Sequence, residues 1–214
     1  EALRIKGIPV EGATVAIQGF GKVGYWAARA LESMGLTIVA VSDVHGGVTG
    51  SINISQLNNH VSEHGSLSGA PGAETITNTE LLHLPVDVLI PAALSDAITE
   101  STASGIQAKI VVEGANAPTT PQGDEIMNDK GILVVPDILA NSGGVIVSYF
   151  EWVQDKQNYF WSADEVRQNL NSIMMRSINE VAENAKAAAV TWREAANMIG
   201  VGRVAQAHRL RGLY

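Results

Sequence analysis

Residues 16–31 read AIQGFGKVGYWAARAL, and inside them Gly19-Phe20-Gly21-Lys22-Val23-Gly24 spells G-x-G-x-x-G. The flanks give the motif its meaning. Upstream, ATVAIQ (13–18) is a short apolar run with strand character. Downstream, Val23, Trp26, Ala27, Ala30, Leu31 and Met34 recur at helical spacing until Gly35, which suits the residue just past a helix end. A glycine loop between a strand and a helix has a physical use. Gly19 permits a tight turn, Gly21 lets a ligand approach the backbone, and Gly24 lets helix and strand pack closely. The helix then presents unpaired N–H groups and the positive end of its dipole, which together suit a pyrophosphate.

Four more apolar runs follow: TIVAVSD (37–43), VDVLIPAA (86–93), AKIVVEGA (108–115) and GILVVPD (131–137). Runs apolar on both faces and separated by helical or loop stretches predict an α/β fold, a Rossmann-like, mostly parallel, doubly wound sheet with C-terminal helices. Residues 42–79 are rich in Gly, Ser, Asn and Thr, and only a helix near 55–64 is predicted there. After 137 the pattern is helical throughout. Ser162-Ala-Asp-Glu165 and Thr191-Trp-Arg-Glu194 read as capping boxes. Val166, Leu170, Ile173, Met174, Ile178, Val181 and Ala185 mark the apolar face of a long helix, and a last helix ends near Gly212. The expected organisation is a dinucleotide-binding domain over 1–160 with helices of 161–214 packing on it.

Asp43 ends the second strand, 19 residues after Gly24. A carboxylate there accepts both hydroxyls of an adenosine ribose and repels a 2′-phosphate, which favours NAD over NADP. Pro91-Ala92-Ala93 follows the third strand, where small side chains let a ribose lie on the backbone. Glu113-Gly114-Ala115-Asn116 follows the fourth, and the Asn116 amide can match a carboxamide or a ribose hydroxyl. It can equally make an Asx turn before Pro118. Both stretches lie at carboxyl ends of strands, where open α/β sheets bind ligands.

Composition excludes several classes. The net charge of −8 argues against a nucleic-acid surface. No apolar run approaches the roughly 18 residues of a membrane span, and no secretory h-region opens the chain, so a cytoplasmic protein is expected. Without cysteine there is neither a disulfide framework nor a thiol nucleophile. His60-Val61-Ser62-Glu63-His64 matches the H-x-x-E-H pattern of zinc peptidases, but no third ligand is evident and no metal is expected. The sequon at Asn53 is taken as chance. The chain begins with Glu rather than Met, and further sequence upstream is expected.

Read together, VAIQGFGKVGYWAARAL, TIVAVSD, VDVLIPAAL, VVEGANAPTT, GILVVPDILANSGGVIVSYFEWVQ and RVAQAHRLRG resemble, in order and over nearly the whole chain, the C-terminal half of a glutamate dehydrogenase in the Glu/Leu/Phe/Val dehydrogenase superfamily. The resemblance implies that Gly19 to Gly24 hold the pyrophosphate and Asp43 the adenosine ribose. Ala92, Ala93 and Asn116 would line the nicotinamide ribose, with Asn141 at the nicotinamide. Ser148 would bind the distal carboxylate of glutamate, and Val145, one turn earlier, would shape the same pocket. Relatives acting on apolar amino acids tend to carry an apolar residue at the Ser148 position. Two departures stand out: Asn141-Ser142-Gly143-Gly144 replaces Asn-Ala-Gly-Gly, and Ala117 stands where glycine is frequent.

The family's N-terminal domain carries a glycine-rich segment with a catalytic Lys, a Lys for the substrate carboxylate and a catalytic Asp. None of Lys6, Lys22, Lys109, Lys130, Lys156 or Lys186 has that setting. The resemblance therefore implies a domain that binds NAD, with no catalytic residue of its own and a missing partner domain. Glutamate and 2-oxoglutarate would be handled only in the full enzyme. The alternatives are a free-standing redox sensor or a domain of a leucine, phenylalanine or valine dehydrogenase. Tyr149, Phe150, Trp152, Tyr159, Phe160 and Trp161 crowd into thirteen residues. They either fill the core or leave an apolar face that favours self-association.

Overall fold

A computed structural model describes residues 1–50 and 52–212. The chain divides into two compact units, Ala2–Asp137 and a second that begins at Ile138. The first unit runs α1 (Ala2–Ile5), β1 (Thr14–Gln18), α2 (Lys22–Ser33), β2 (Thr37–Asp43), β3 (Gly46–Gly50), α3 (Ile54–His64), β4 (Ala73–Ile76), α4 (Asn78–Leu82), β5 (Val88–Pro91), α5 (Glu100–Ala103), β6 (Ile110–Val112), α6 (Pro121–Asp129) and β7 (Leu133–Val135). These seven strands form one sheet in the order β4-β3-β2-β1-β5-β6-β7. β2, β1, β5, β6 and β7 are parallel, as their two-sided apolar character predicts, and β3 and β4 add antiparallel.

The expected α/β sheet is therefore present, with two strands in the stretch that showed only a helix. β3 reads GGVTG and β4 reads AETI, neither with a clean alternation. Gly47 suits a tight spot between its neighbours: a methyl there would sit 3.1 Å from Ile76 Cγ1 and from the Val41 carbonyl oxygen. Asn53, the sequon residue, caps α3 by accepting the Gln56 N–H.

Successive side chains of β1 point to opposite layers. Ala16 joins Leu81, Leu82, Ile98, Ile106 and Met127 in a core beneath α4, α5 and α6. On the other face Ile17 lies against the start of α2, which packs on β1 and β2. The buried side of α2 is not the apolar stripe read from the sequence. Val23, Trp26 and Met34 are exposed, while Gly24 and Ala28 are buried. Small residues let the helix lie close to the sheet, and the larger apolar residues face outward. Asp87 knits β1 to β5 at their amino ends: its carboxylate accepts the Thr14 N–H and hydroxyl at 2.9 Å each and the Lys109 ammonium at 2.8 Å.

The short α7 (Asp137–Ala140) leads into the second unit, which holds α8 (Gly143–Gln157), α9 (Ala163–Ala188) and α10 (Trp192–Leu210). Both capping boxes form, Ser162 with Glu165 and Thr191 with Glu194. Every residue of the apolar face read for α9 is buried or half-buried. The aromatic cluster splits. Phe150 is buried with its ring 5.3 Å from Trp161, whereas Tyr149, Trp152, Tyr159 and Phe160 are exposed. Among the described residues no helix is long and apolar enough to cross a membrane.

Candidate functional site

The strand order reverses at β1: the chain leaves it toward β2 and later returns on its other side as β5. Such a switch point opens a crevice at the carboxyl ends of the strands, and the glycine loop lies there. Gly19 has φ +98, and its N–H donates to the Ser42 carbonyl at 2.9 Å. A methyl on Gly19 would stand 2.8 Å from the Ala92 carbonyl oxygen, so the loop after β1 touches the loop after β5. A methyl on Gly24 would overlap the Gly19 carbonyl oxygen and meet Ile17 Cγ2 at 3.4 Å. Gly21 differs from both. It caps α2 in an ordinary extended conformation, no side chain caps the helix, and a methyl would meet nothing within 4 Å. Two glycines of the loop are closed by packing and the middle one opens outward.

That opening belongs to a cleft of about 610 Å³ bounded by Gln18, Gly19, Gly21, Asp43, His45 and Asn78, with Ala92–Ala97 along its far wall. Asp43 is half-buried there. Its Oδ1 accepts the His45 N–H and its Oδ2 the Leu67 N–H, both at 2.7 Å, and Asn78 holds its backbone carbonyl at 3.0 Å. Each carboxylate oxygen has two lone pairs, so both can still accept from a ligand. The arrangement aims the carboxylate while leaving it capacity.

A second cleft, about 430 Å³, is lined by Val23, Ala92–Ser95, Gly114, Ala115 and Asn116. It shares the ridge Ala92–Ser95 with the first. The two form a groove from Asp43, past the glycine loop, to Asn116, crossing the ends of β2, β1, β5 and β6. Gly114 keeps the floor low, since a methyl there would press on Ala92 Cβ at 3.2 Å. A mouth that is acidic at one end and lined by open glycine backbone and helix amides in the middle fits a dinucleotide. Another cleft of about 610 Å³ lies at the opposite ends of β6 and β7, beside Lys6, Lys109 and Lys130. Those ammonium groups already donate to Gly131, Asp87 and the carbonyls of Ser104 and Ile106, and no glycine loop is near.

Of the predicted residues in the first unit, Gly19, Phe20, Gly21, Asp43, Ala92 and Ala93 line the first cleft and Val23, Ala92, Ala93 and Asn116 the second, while Lys22 and Gly24 line neither of these clefts. Asn141, Val145 and Ser148 belong to the second unit. Asn141 is half-buried just ahead of α8, and Val145 and Ser148 are exposed, one turn apart on that helix. Ser142, the departure from Asn-Ala-Gly-Gly, is accommodated: its hydroxyl donates to the Leu139 carbonyl at 2.8 Å. Ala117 takes φ +45, in the left-handed region, which is why glycine suits that position. His60 and His64 stack at 4.3 Å between ring centroids; His60 Nε2 pairs with the Ser68 carbonyl and His64 Nδ1 with the His60 carbonyl. Sequence reasoning gave no role to Glu113, fully buried at the end of β6, nor to Asp137. A charged residue inside the apolar run AKIVVEGA was the one available signal.

The family model described as Glutamate/Leucine/Phenylalanine/Valine dehydrogenase matches residues 1–212. A glutamate dehydrogenase of Thermotoga maritima is 49% identical over 216 residues, covering 100% of this chain and 52% of that protein. A cryptic catabolic NAD-specific glutamate dehydrogenase of Bacillus subtilis is 44% identical, covering 99% of this chain and 50% of its own length. The crystal structure of the hetero-hexameric glutamate dehydrogenase of Thermus thermophilus, in a Leu-bound form, superposes with a TM-score of 0.93 at 33% identity, over 100% of this chain and 51% of that one. The chain spans about half the length of the curated relatives it matches.

Proposed function

Because the chain belongs to the Glutamate/Leucine/Phenylalanine/Valine dehydrogenase family, we propose that it is the NAD-holding half of a glutamate dehydrogenase, acting with a further domain to interconvert L-glutamate and 2-oxoglutarate. The observation that carries the reading is the asymmetry of the glycine loop. Gly19 and Gly24 are sterically closed while Gly21 opens on the groove at an uncapped helix start. NAD, when bound, supplies the hydride acceptor. The loop and the first amides of α2 neutralise the pyrophosphate. Asp43, aimed by the His45 and Leu67 amides, accepts the adenosine ribose hydroxyls and opposes a 2′-phosphate. Ala92, Ala93 and Asn116 seat the second ribose, and the family resemblance would assign the nicotinamide to Asn141.

On the substrate side, the Ser148 hydroxyl suits the distal carboxylate of glutamate, with Val145 shaping the same wall. A hydroxyl there leaves contact area unused against an alkyl side chain, which favours glutamate over leucine, valine or phenylalanine. Amine oxidation also needs a group that polarises the carbinolamine and one that moves its protons. We assign both to the further domain, and we keep 1–160 as the cofactor-binding portion with 161–214 as its helical complement.

Calorimetric titration with NAD, followed by an assay for NADH formation with saturating glutamate, tests this. NAD binding without NADH production is expected. Turnover by the 214-residue chain would refute the division of labour, and failure to bind NAD would refute the reading entirely.

A further inference from the structure

The corner of the groove at Asn116 is held by a relay that the proposed chemistry does not use. Glu113 is the one fully buried ionisable side chain among the described residues. A carboxylate removed from water is unfavourable unless its oxygens are satisfied. Its Oε2 accepts the Asp137 N–H at 2.9 Å, and Asp137 Oδ2 accepts the Ala117 N–H at 2.8 Å. On its other side, the Ala117 carbonyl accepts the Asp96 N–H at 3.0 Å. Between these two bonds Ala117 sits at φ +45, a left-handed conformation that an L-residue adopts only under constraint. Asn116, the residue before it, lines the groove. Strained backbone tied from both sides beside a groove can aim a side chain.

We propose that Asp137, seated by the buried Glu113, is a positioning residue that holds Ala117 left-handed and so aims Asn116 at the nicotinamide half of the cofactor. This rests on the reading that the groove holds NAD with its second ribose at Asn116. Asp137 touches no cofactor atom in this scheme and acts through the backbone. Its loss therefore weakens chiefly the ligands that reach Asn116.

The test is titration of the chain with NAD and with ADP, which carries the adenosine and both phosphates but neither the second ribose nor the nicotinamide. Asp137→Ala should raise the Kd for NAD by about tenfold, the scale of one hydrogen bond to a charged group, and change that for ADP far less. Asp137→Asn keeps an oxygen for the Ala117 N–H and should restore most of the NAD affinity. Equal weakening of both ligands, or no change for NAD, or an Asn variant no better than Ala, would overturn the proposal. Asn116→Ala separates the two levels. If it shifts the NAD/ADP ratio while Asp137→Ala does not, the positioning role fails. If neither shifts it, the placement of NAD fails as well. Should Asp137→Ala not fold by circular dichroism, Asp137→Glu, which keeps the charge but displaces the oxygen by a methylene, is read the same way.

Discussion

Gly21→Ala should separate folding from cofactor binding. Gly21 has φ −78 and ψ −159, a conformation open to alanine, and the added methyl meets nothing within 4 Å. Two small effects act on stability. Reduced freedom of the unfolded chain favours the variant by about 0.4–1 kcal/mol. The preference for Gly over Ala at a helix N-cap opposes it by roughly 0.5–1 kcal/mol. They nearly cancel, so the urea midpoint should move by no more than about 0.5 kcal/mol equivalent. Binding has no such cancellation. The methyl projects into the space through which a pyrophosphate would approach the helix amides. Each lost hydrogen bond to a charged group is worth about 1.5–3 kcal/mol, so the Kd for NAD should rise at least about tenfold. Gly24→Ala is the contrasting variant. Its methyl overlaps the Gly19 carbonyl oxygen, and the overpacking should destabilise the fold by about 1–3 kcal/mol or more. Urea unfolding with calorimetric titration of both variants measures the two quantities separately. A Gly21→Ala protein that is stable and binds NAD as well as the parent would refute the placement of the pyrophosphate.

Asp43→Ser should weaken NAD and shift preference toward NADP, since one acceptor set and one repulsive charge disappear together; an unchanged NAD/NADP ratio by titration would mean that Asp43 does not face the ribose. Acid should destabilise the protein through four carboxylates held below their usual range. Asp87 is lowered chiefly by Lys109 and then by the Thr14 amide, and Glu80, Glu165 and Glu194 chiefly by the backbone N–H of their cap residues. Because the folded pKa lies below the unfolded one, the contribution is complete above the ordinary carboxylate range and is lost as pH falls through the folded value. The urea midpoint should hold from neutrality to about pH 5 and drop below about pH 4, less steeply in Asp87→Asn; a midpoint that stays level to pH 2 would contradict this. Exposed Tyr149, Trp152, Tyr159 and Phe160 should bind a hydrophobic dye and promote self-association, measured by sedimentation at rising concentration. A strictly monomeric chain without a dye signal would count against an apolar interface.

Local chemistry made much of this protein readable from sequence. A backbone turn that needs positive φ calls for Gly19, and a close helix–strand approach calls for Gly24, wherever the rest of the chain lies. Two-sided apolar runs imply a covered parallel sheet, and such a sheet opens its crevice at the carboxyl ends of its strands. The capping boxes at Ser162 and Thr191 needed only residues three positions apart. Tertiary structure decided what depends on distant partners. β3 is mostly glycine and carries no periodic signal; it becomes a strand because β2 and β4 flank it. Helical period could not say which side of α2 is buried, because the close approach at Gly24 turns the small residues inward. The tie from Glu113 to Asp137 spans 24 positions and that from Asp137 to Ala117 spans 20. Both exist only once β6 and β7 lie in register, with Val112 opposite Val135, so that the ends of two strands deliver a buried carboxylate, a helix start and a strained backbone to one corner. Sequence patterns record the demands a residue makes on its neighbours along the chain, and neighbours across the sheet become visible only in the fold.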